Sequence, residues 1–185
     1  TLNEGATATI TNSLLKITDV DNTAAQILYT VESPAVNGSL KKGAAVLVTG
    51  DSFTQDDLDN SRITYVHDGG EAISDKIIFS TSDGAGGIIP ATTYEIAITP
   101  INDAPVVTAN KTLDVAEGGS ALFTASKLFV SDNDTPATQL TYTIASLPAN
   151  GTLKRASAVL VAGDKFTQND INTGLISYNH NGGET

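Results

Sequence analysis

The stretch AVLVTGDSFTQDD, residues 45–57, recurs as AVLVAGDKFTQND at residues 158–170. The two stretches lie 113 residues apart, and a shift of 113 aligns residues 1–72 with residues 114–185 without a gap. Identical residues occupy 33 of these 72 aligned positions. An ungapped match of this extent predicts tandem copies of one fold, because self-similarity at a fixed period is the signature of repeat architectures.

Neither copy shows the whole of the shared pattern within these 185 residues. The first copy continues through SDKIIFSTSDGAGG (74–87) and TTYEIAITPINDAP (92–105), whereas the second copy has no counterpart of these stretches. We therefore predict a window cut from a longer array, in which residues 1–103 form a first repeat that lacks its first strand. Residues 104–185 form a second repeat that is truncated at its C-terminal end, and we expect it to expose an unpaired strand edge.

Short alternating runs rich in Thr, Val and Ile predict that the chain is all-β. Apolar and polar residues alternate at 76–82, 94–99 and 140–146. Asn-Gly at 37–38 and at 150–151 predicts a β-hairpin turn in each copy, because this dipeptide favours two-residue hairpin loops. Such runs at intervals of roughly 8–12 residues, without long helices, favour a β-sandwich.

A single helical turn is also predicted in each copy. FTQDDL (53–58) and FTQNDI (166–171) place a Thr directly before a short polar segment, so Thr54 and Thr167 are the expected N-caps. A Thr at this position accepts a hydrogen bond from an amide of the first turn, and so stabilises the start of a helix.

The acidic composition excludes some classes of partner. The chain carries 21 Asp and Glu against 10 Lys and Arg, a net charge of −11, of which −9 falls in residues 1–103. Such a field repels phosphate backbones, so we expect no nucleic-acid binding. No apolar run approaches the roughly 20 residues of a membrane helix, so we expect no membrane insertion by this segment. The absence of Cys removes disulfides and thiolate metal sites.

The motif Tyr-x-His-x-Gly-Gly-Glu occurs twice, with His67 and His180 at its centre. One interpretation is a metal site or an acid–base pair formed by the His and the Glu of the motif. No second His lies near either one in the sequence, and the motif recurs in step with the repeat. A histidine that is duplicated with the fold beside a Gly-Gly turn more often hydrogen-bonds the backbone, so we predict a structural role for both.

Two acidic pairs, Asp19-x-Asp21 and Asp132-x-Asp134, also recur with the repeat. Ca²⁺ takes roughly 6–8 oxygen ligands, typically from clustered carboxylates and carbonyls. Neither pair begins an EF-hand, because that loop requires Gly at its sixth position and Glu at its twelfth. From the residues alone, each pair is either part of a calcium site or a solvated acidic turn.

The segment PINDAPVV, residues 100–107, joins the two copies. Together with DVAEGGS (114–120), VSDNDT (130–135) and LTYTI (140–144), it resembles the order of motifs in a cadherin repeat. More specifically, GDxFTQxD followed by IxYxHxGGE resembles the cadherin-like repeat of chondroitin sulfate proteoglycans, and similar repeats occur in very large bacterial surface proteins. The resemblance covers essentially the whole chain. It implies tandem Greek-key, immunoglobulin-like β-sandwiches in a large, bacterial-type protein at the cell surface.

The resemblance also implies calcium at the junctions between successive repeats, as in cadherins. This sequence departs from the cadherin pattern at Pro100, which stands where the linker motif begins with an acidic residue. The implied ligands are oxygen-bearing side chains from the repeats and from the linker between them. They are Glu4, Asn102, Asp103, Asp132 and Asp134 for the central junction, Asp19, Asp21 and Asp83 for the preceding one, and Glu117 for the following one.

The function implied by the resemblance is an extracellular structural or adhesion module, rigidified by calcium. Its partners would be neighbouring repeats of the same chain and a cell-surface protein or glycan. The alternative is a glycan-binding accessory module of a secreted multidomain protein, which aromatic side chains exposed on one face would favour. We expect no catalytic activity, because the chain has no nucleophile elbow, phosphate loop or zinc spacing.

Overall fold

The structure is a computed structural model that describes residues 1–183. The chain divides into two compact units, Thr1–Ile101 and Asn102–Thr185. Each unit is built from β-strands and one short helix, so the predicted all-β fold is confirmed.

The first unit is a sandwich of two sheets. Its elements are β1 (Leu2–Asn3), β2 (Thr7–Thr9), β3 (Leu28–Ser33), β4 (Gly38–Lys42), β5 (Ala45–Val46), β6 (Ser52–Thr54), α1 (Gln55–Asp59), β7 (Ile63–His67), β8 (Ser74–Ser82) and β9 (Ile88–Thr99). One sheet has the strand order β1-β9-β8-β3-β6, and the other has the order β2-β7-β4-β5. The alternating runs at 76–82 and 94–99 lie in β8 and β9, as predicted.

The second unit repeats part of this arrangement. Its elements are β10 (Val106–Asn110), β11 (Ser120–Leu122), β12 (Leu128–Ser131), β13 (Thr141–Thr143), β14 (Gly151–Arg155), β15 (Ala158–Val159), β16 (Lys165–Thr167), α2 (Gln168–Asn172) and β17 (Ile176–His180). Strands β11-β17-β14-β15 form the counterpart of the four-stranded sheet, while β13 pairs with β16 and β10 pairs with β12.

Stacked aromatic rings mark the same place in the core of each unit. Tyr29 stacks on Phe53 with ring centroids 4.9 Å apart, and Phe79 packs edge-on against Tyr29 at 5.3 Å. In the second unit Tyr142 stacks on Phe166 at 5.0 Å. Offset and edge-on pairs of this kind stabilise a core beyond the burial of their area. The aligned aromatics are therefore core residues.

The predicted hairpin turn at Asn37–Gly38 is wrong. Strand β3, which precedes the dipeptide, and strand β4, which begins at Gly38, lie in different sheets, so the chain crosses between the layers here. The Gly is required for space: a Cβ at Gly38 would lie 2.5 Å from the Val66 carbonyl oxygen and 2.6 Å from the Tyr65 hydroxyl. Gly151 lies equally close to strand β17, and β13 and β14 also lie in different sheets, so the hairpin prediction at Asn150–Gly151 is wrong too.

The predicted helical turns are confirmed, each with a complete capping box. Oγ1 of Thr54 accepts from the Asp57 amide at 3.2 Å, while Oδ2 of Asp57 accepts from the Thr54 amide at 2.9 Å. Thr167 and Asp170 make the same two bonds at the start of α2. Reciprocal capping satisfies amides that a short helix otherwise leaves unpaired. Within residues 1–183, no helix has the length and hydrophobicity of a membrane span.

The predicted open strand edge is confirmed in the second unit. In the first unit, β3 lies between β6 and β8. Its counterpart β13 pairs with β16 alone among the strands of the described residues. One edge of β13 therefore has no neighbouring strand in this part of the chain.

Candidate metal centre

An acidic loop follows strand β12 in the second unit. Oδ1 of Asp132 accepts hydrogen bonds from the amides of Asp134 (3.0 Å) and Thr135 (2.8 Å). An Asp that bonds amides two and three residues ahead closes a local turn by itself. The turn therefore holds two carboxylates in one short loop.

Asp103 is held against this acidic loop, within the same unit. The Asp103 amide donates to Oδ2 of Asp134 at 2.5 Å, and Nδ2 of Asn133 donates to Oδ2 of Asp103 at 3.3 Å. Nδ2 of Asn102 donates to the Asp103 carbonyl oxygen at 2.6 Å. A cleft of about 360 Å³ opens here, lined in part by Asn102, Asp103 and Asp132. The structure thus brings together four of the predicted ligands.

The first unit contains the aligned acidic turn. Oδ1 of Asp19 accepts from the amides of Asp21 (2.8 Å) and Asn22 (3.0 Å). Nδ2 of Asn22 then donates to the Asp83 carbonyl oxygen at 2.9 Å. This bond ties the turn to the loop between β8 and β9, which brings the other predicted set close together.

Backbone amides stabilise the ionised form of Asp83. Its Oδ1 accepts from the amides of Ala85 (2.7 Å) and Gly87 (2.9 Å), and these bonds, that of Ala85 first, hold the pKa of Asp83 below its usual value. Gly87 permits the arrangement, because a Cβ there would collide with the Asp83 carboxylate. Asp19 and Asp83 both line a cleft of about 270 Å³.

Two predicted glutamates lie outside these loops. Oε2 of Glu4 accepts from the Ile101 amide at 3.3 Å, and the carboxylates of Glu4 and Glu71 lie within 4.8 Å of each other. Glu117, the residue aligned with Glu4, is exposed in the turn before β11. Within the residues that the structure describes, no hydrogen bond joins either glutamate to the acidic loop of its own unit. Both therefore remain predicted ligands.

The donor set suits a hard cation. Oδ1 of Asp103, Oδ2 of Asp132 and Oδ1 of Asp134 accept no hydrogen bond from residues 1–183. Each carboxylate thus keeps one oxygen for a ligand, and Ca²⁺ prefers oxygen donors. The three carboxylates do not all lie within 4.8 Å of one another, so a shared ion would have to draw these side chains closer together.

Comparison with known proteins assigns the family. A family model described as Cadherin-like matches residues 1–98 and 105–185. This chain belongs to the cadherin-like family. The resemblance drawn from the motifs is thereby confirmed for the family, whereas the bacterial origin and the longer tandem array stay predictions.

Relatives of this cadherin-like chain are much longer proteins. Extracellular matrix protein 3 of Lytechinus variegatus is 34% identical over 185 residues, which cover 100% of this chain and 6% of the relative. Extracellular matrix organizing protein FRAS1 of Homo sapiens is 32% identical over 184 residues, 98% of this chain and 4% of the relative. Chondroitin sulfate proteoglycan 4 of Rattus norvegicus is 28% identical over 183 residues, 97% of this chain and 8% of the relative. No solved structure matches the chain.

The histidines of the cadherin-like repeats bind the backbone, as predicted. Nδ1 of His67 accepts from the amides of Gly5 and Gly69, each at 3.1 Å. In the second unit, Nδ1 of His180 accepts from the amides of Gly118 (3.2 Å) and Gly182 (3.1 Å). A nitrogen that accepts two amides is not available to a metal. Glu184, the acid of the second motif, lies outside the described residues.

Sequence reasoning missed the two asparagines that secure the acidic loops of these cadherin-like units. Asn22 binds the Asp83 carbonyl, and Asn133 binds the Asp103 carboxylate. Comparison of the two copies did not reveal them, because neither asparagine is repeated: Thr135 aligns with Asn22, and Val20 aligns with Asn133. The available signal was local: each Asn directly adjoins an Asp of the pair, and Asn is a favoured turn residue.

Proposed function

We propose that the chain is an extracellular structural module, in which cadherin-like repeats act as a spacer or adhesion segment of a larger protein. The family supports this, together with relatives that are named as extracellular matrix proteins or as a proteoglycan. Stacked repeats form quasi-one-dimensional rods, which suits a spacer. Its partners are neighbouring repeats of the same chain, and its role is structural rather than catalytic.

The module binds calcium at the acidic loop of the second unit. The observation that carries this proposal is the hydrogen bond from the Asp103 amide to the Asp134 carboxylate at 2.5 Å, which sets a linker residue beside the loop. The carboxylates of Asp103, Asp132 and Asp134 lie in one region of the unit, so they repel one another in the absence of a cation. An ion shared by Asp103, Asp132 and Asp134 would remove that repulsion and stiffen the linker segment 100–105.

The aligned loop of the first unit binds a second ion. The Asp19 turn has the same pair of amide bonds as the Asp132 turn, and Asn22 ties it to Asp83. The lowered pKa of Asp83 reflects backbone amides that stabilise its charged form, so this carboxylate stays charged to a lower pH than an ordinary Asp. Asp19, Asp21 and Asp83 are then the acidic ligands of this ion.

Titration calorimetry of calcium into the whole chain, after metal is removed with a chelator, tests the proposal. We expect two binding events: Asp134→Ala should weaken one at least tenfold, and Asp21→Ala should weaken the other. Asp114→Ala is the matched control, because it also removes a carboxylate, one that pairs with Lys127 at 3.1 Å outside both loops. A titration without binding heat, or an equal loss in the control, would argue against calcium.

The aromatic side chains favour no second function. All five Tyr and all five Phe are buried or half-buried, and the aligned pairs pack in the cores of the two units. A glycan-binding face needs exposed rings on which sugars can stack. We therefore propose no glycan-binding activity for these repeats.

A further inference from the structure

A buried glutamine follows the capping Thr of the short helix in each unit. Gln55 is 2% exposed and Gln168 is 0% exposed, and each ends the Phe-Thr-Gln motif that the two copies share. A buried side-chain amide is costly unless its oxygen and nitrogen find hydrogen-bond partners. The partners of the two amides therefore show what each glutamine holds in place.

The glutamine oxygen binds the segment that leads into the acidic loop. Oε1 of Gln168 accepts from the Val130 amide at 2.9 Å, and Oε1 of Gln55 accepts from the Ile17 amide, also at 2.9 Å. In each unit this amide lies two residues before the first carboxylate of the acidic turn. The glutamine thus fixes the backbone at the start of the loop.

The backbone of the same helix binds the other side of the loop. The Asn169 amide donates to the Ala137 carbonyl oxygen at 2.9 Å, and the Asp56 amide donates to the Ala24 carbonyl oxygen at 3.0 Å. Both carbonyl groups follow the acidic turn of their unit by a few residues. The first turn of each helix therefore holds the chain on both sides of the acidic turn.

This arrangement is the same in both units. Nε2 of Gln55 donates to Oδ1 of Asp59 at 2.9 Å, and Nε2 of Gln168 donates to Oδ1 of Asn172 at 2.8 Å, so each amide is also held by its own helix. The second unit makes these bonds although it has no counterpart of β8 and β9 within residues 1–183. The bonds therefore do not depend on those strands.

We propose that Gln168 and Gln55 are positioning residues for the two calcium ions, an inference that rests on the proposed function. Neither side chain would touch an ion; each holds an acidic loop in the conformation that presents its carboxylates. Replacing residues that orient the ligands of a metal typically weakens its binding roughly 10–100-fold. A loop that is already held in its bound conformation also loses less conformational freedom on binding.

Titration calorimetry of calcium into the whole chain tests this inference. Gln168→Met removes both hydrogen-bonding groups, and we expect it to weaken the event that Asp134→Ala also weakens by at least tenfold. The event that Asp21→Ala weakens should keep its affinity. Ile171→Val is the matched control and should leave both events unchanged, because Ile171 is 1% exposed on the same helix but packs in the core.

Two further variants keep the inference testable if Gln168→Met does not fold. Gln55→Met, in the first unit, should weaken only the event that depends on Asp21. Asn172→Ala alters an exposed position and removes the acceptor of the Gln168 amide, so it should weaken the Asp134 event by a smaller factor than Gln168→Met. Native affinity in both of these variants would contradict a positioning role.

Hydrogen exchange in chelator shows whether the glutamine holds the loop before any ion binds. Gln168→Met should speed exchange of the Asp134 and Thr135 amides, which the Asp132 carboxylate accepts, and Ile171→Val should not. Unchanged calcium affinity in Gln168→Met, or equal losses in Ile171→Val, would overturn the inference and leave the proposed function standing. A native chain that binds no calcium would contradict the proposed function, and this inference with it.

Discussion

Nδ1 of His67 accepts a hydrogen bond from the amide of Gly5, 62 residues earlier in the chain, at 3.1 Å. The same nitrogen accepts from the Gly69 amide, so one ring joins the turn before β2 to the turn after β7. Because Nδ1 is an acceptor, the neutral ring carries its proton on Nε2. Nε2 is buried without a hydrogen-bond partner in residues 1–183. The His-x-Gly-Gly motif therefore serves the fold.

His67→Ala should lower the free energy of unfolding by about 2–4 kcal/mol, because it leaves two amides without their acceptor and opens a cavity. Chemical denaturation measures this. His67→Asn should cost less, since its amide oxygen can accept in place of Nδ1. His180→Ala should also cost less, because His180 is only half-buried. Loss of calcium binding in a stable His67 variant would assign this residue to a metal site instead.

Asp57 should contribute a pH-dependent part of the stability of the first unit. Burial opposes its ionisation, but Lys42 at 2.6 Å, the Thr54 amide and Arg62 outweigh this and lower the pKa of Asp57 to about 2. Since the pKa is lower in the folded state, the contribution is present above about pH 4 and is lost as the pH falls towards 2. Its size is about 2 kcal/mol.

Denaturation midpoints measured between these pH values check the Asp57 prediction. Asp57→Asn should flatten the pH dependence in this window. Asp170→Asn is the matched control with a smaller effect. Within residues 1–183 Asp170 forms one ion pair, with Arg155, and Leu175 stands in the place of Arg62. Parallel pH profiles for the native chain and Asp57→Asn would show that the prediction is wrong.

Gly38→Ala should destabilise the first unit by about 1–3 kcal/mol, the usual cost of overpacking. The added methyl group would meet the Val66 carbonyl oxygen and the Tyr65 hydroxyl, and strand backbone cannot easily move away. Gly70→Ala is the control, because its methyl group would meet only the Asp68 carboxylate at 3.3 Å. Thermal unfolding should give a lower melting temperature for Gly38→Ala than for Gly70→Ala. Equal melting temperatures would contradict the claim that Gly38 is required for space.

Ala156→Gly should stabilise the second unit by about 1 kcal/mol. Ala156 has a φ of 53°, in the left-handed region that costs a non-glycine residue about 1–2 kcal/mol, and the aligned residue is Gly43 with a φ of 59°. Gly43→Ala should destabilise the first unit by a similar amount, because it places a non-glycine residue at this positive φ. Its methyl group would meet no atom within 4 Å, so a steric clash adds nothing to this cost. Urea denaturation of both variants measures their free energies of unfolding. If both variants change stability in the same direction, the explanation from backbone conformation is wrong.

Local chemistry and the repeat predicted most of the fold. The Thr54 cap, the role of His67 and the Asp132 turn each depend on neighbouring residues or on a motif written twice. The hairpin predicted at Asn37–Gly38 was wrong, because a dipeptide does not show that the chain crosses between sheets. The requirement for Gly38 comes from the Tyr65 ring, which only the folded strands bring near.

The candidate site was harder to predict than the fold. The bond between Asp103 and Asp134 spans 31 residues, so no local pattern could place it, and the family resemblance alone suggested it. Asn133 was missed because the first copy has Val20 there. Glu4 and Glu117 share a position in the repeat, but in each unit their turn lies apart from the acidic loop in sequence. The sequence repeat shows which residues are aligned between the two copies. It does not show which of these residues contact one another in the folded chain.

The most direct test of the central claim is thermal unfolding of residues 1–185 with calcium and with a chelator. With calcium about a hundredfold above its dissociation constant, a site present only in the folded second unit should stabilise it by about 2.7 kcal/mol. Asp134→Ala should lose most of this gain, and Asp114→Ala should keep it. Identical unfolding curves in calcium and in chelator would contradict calcium binding at Asp103, Asp132 and Asp134.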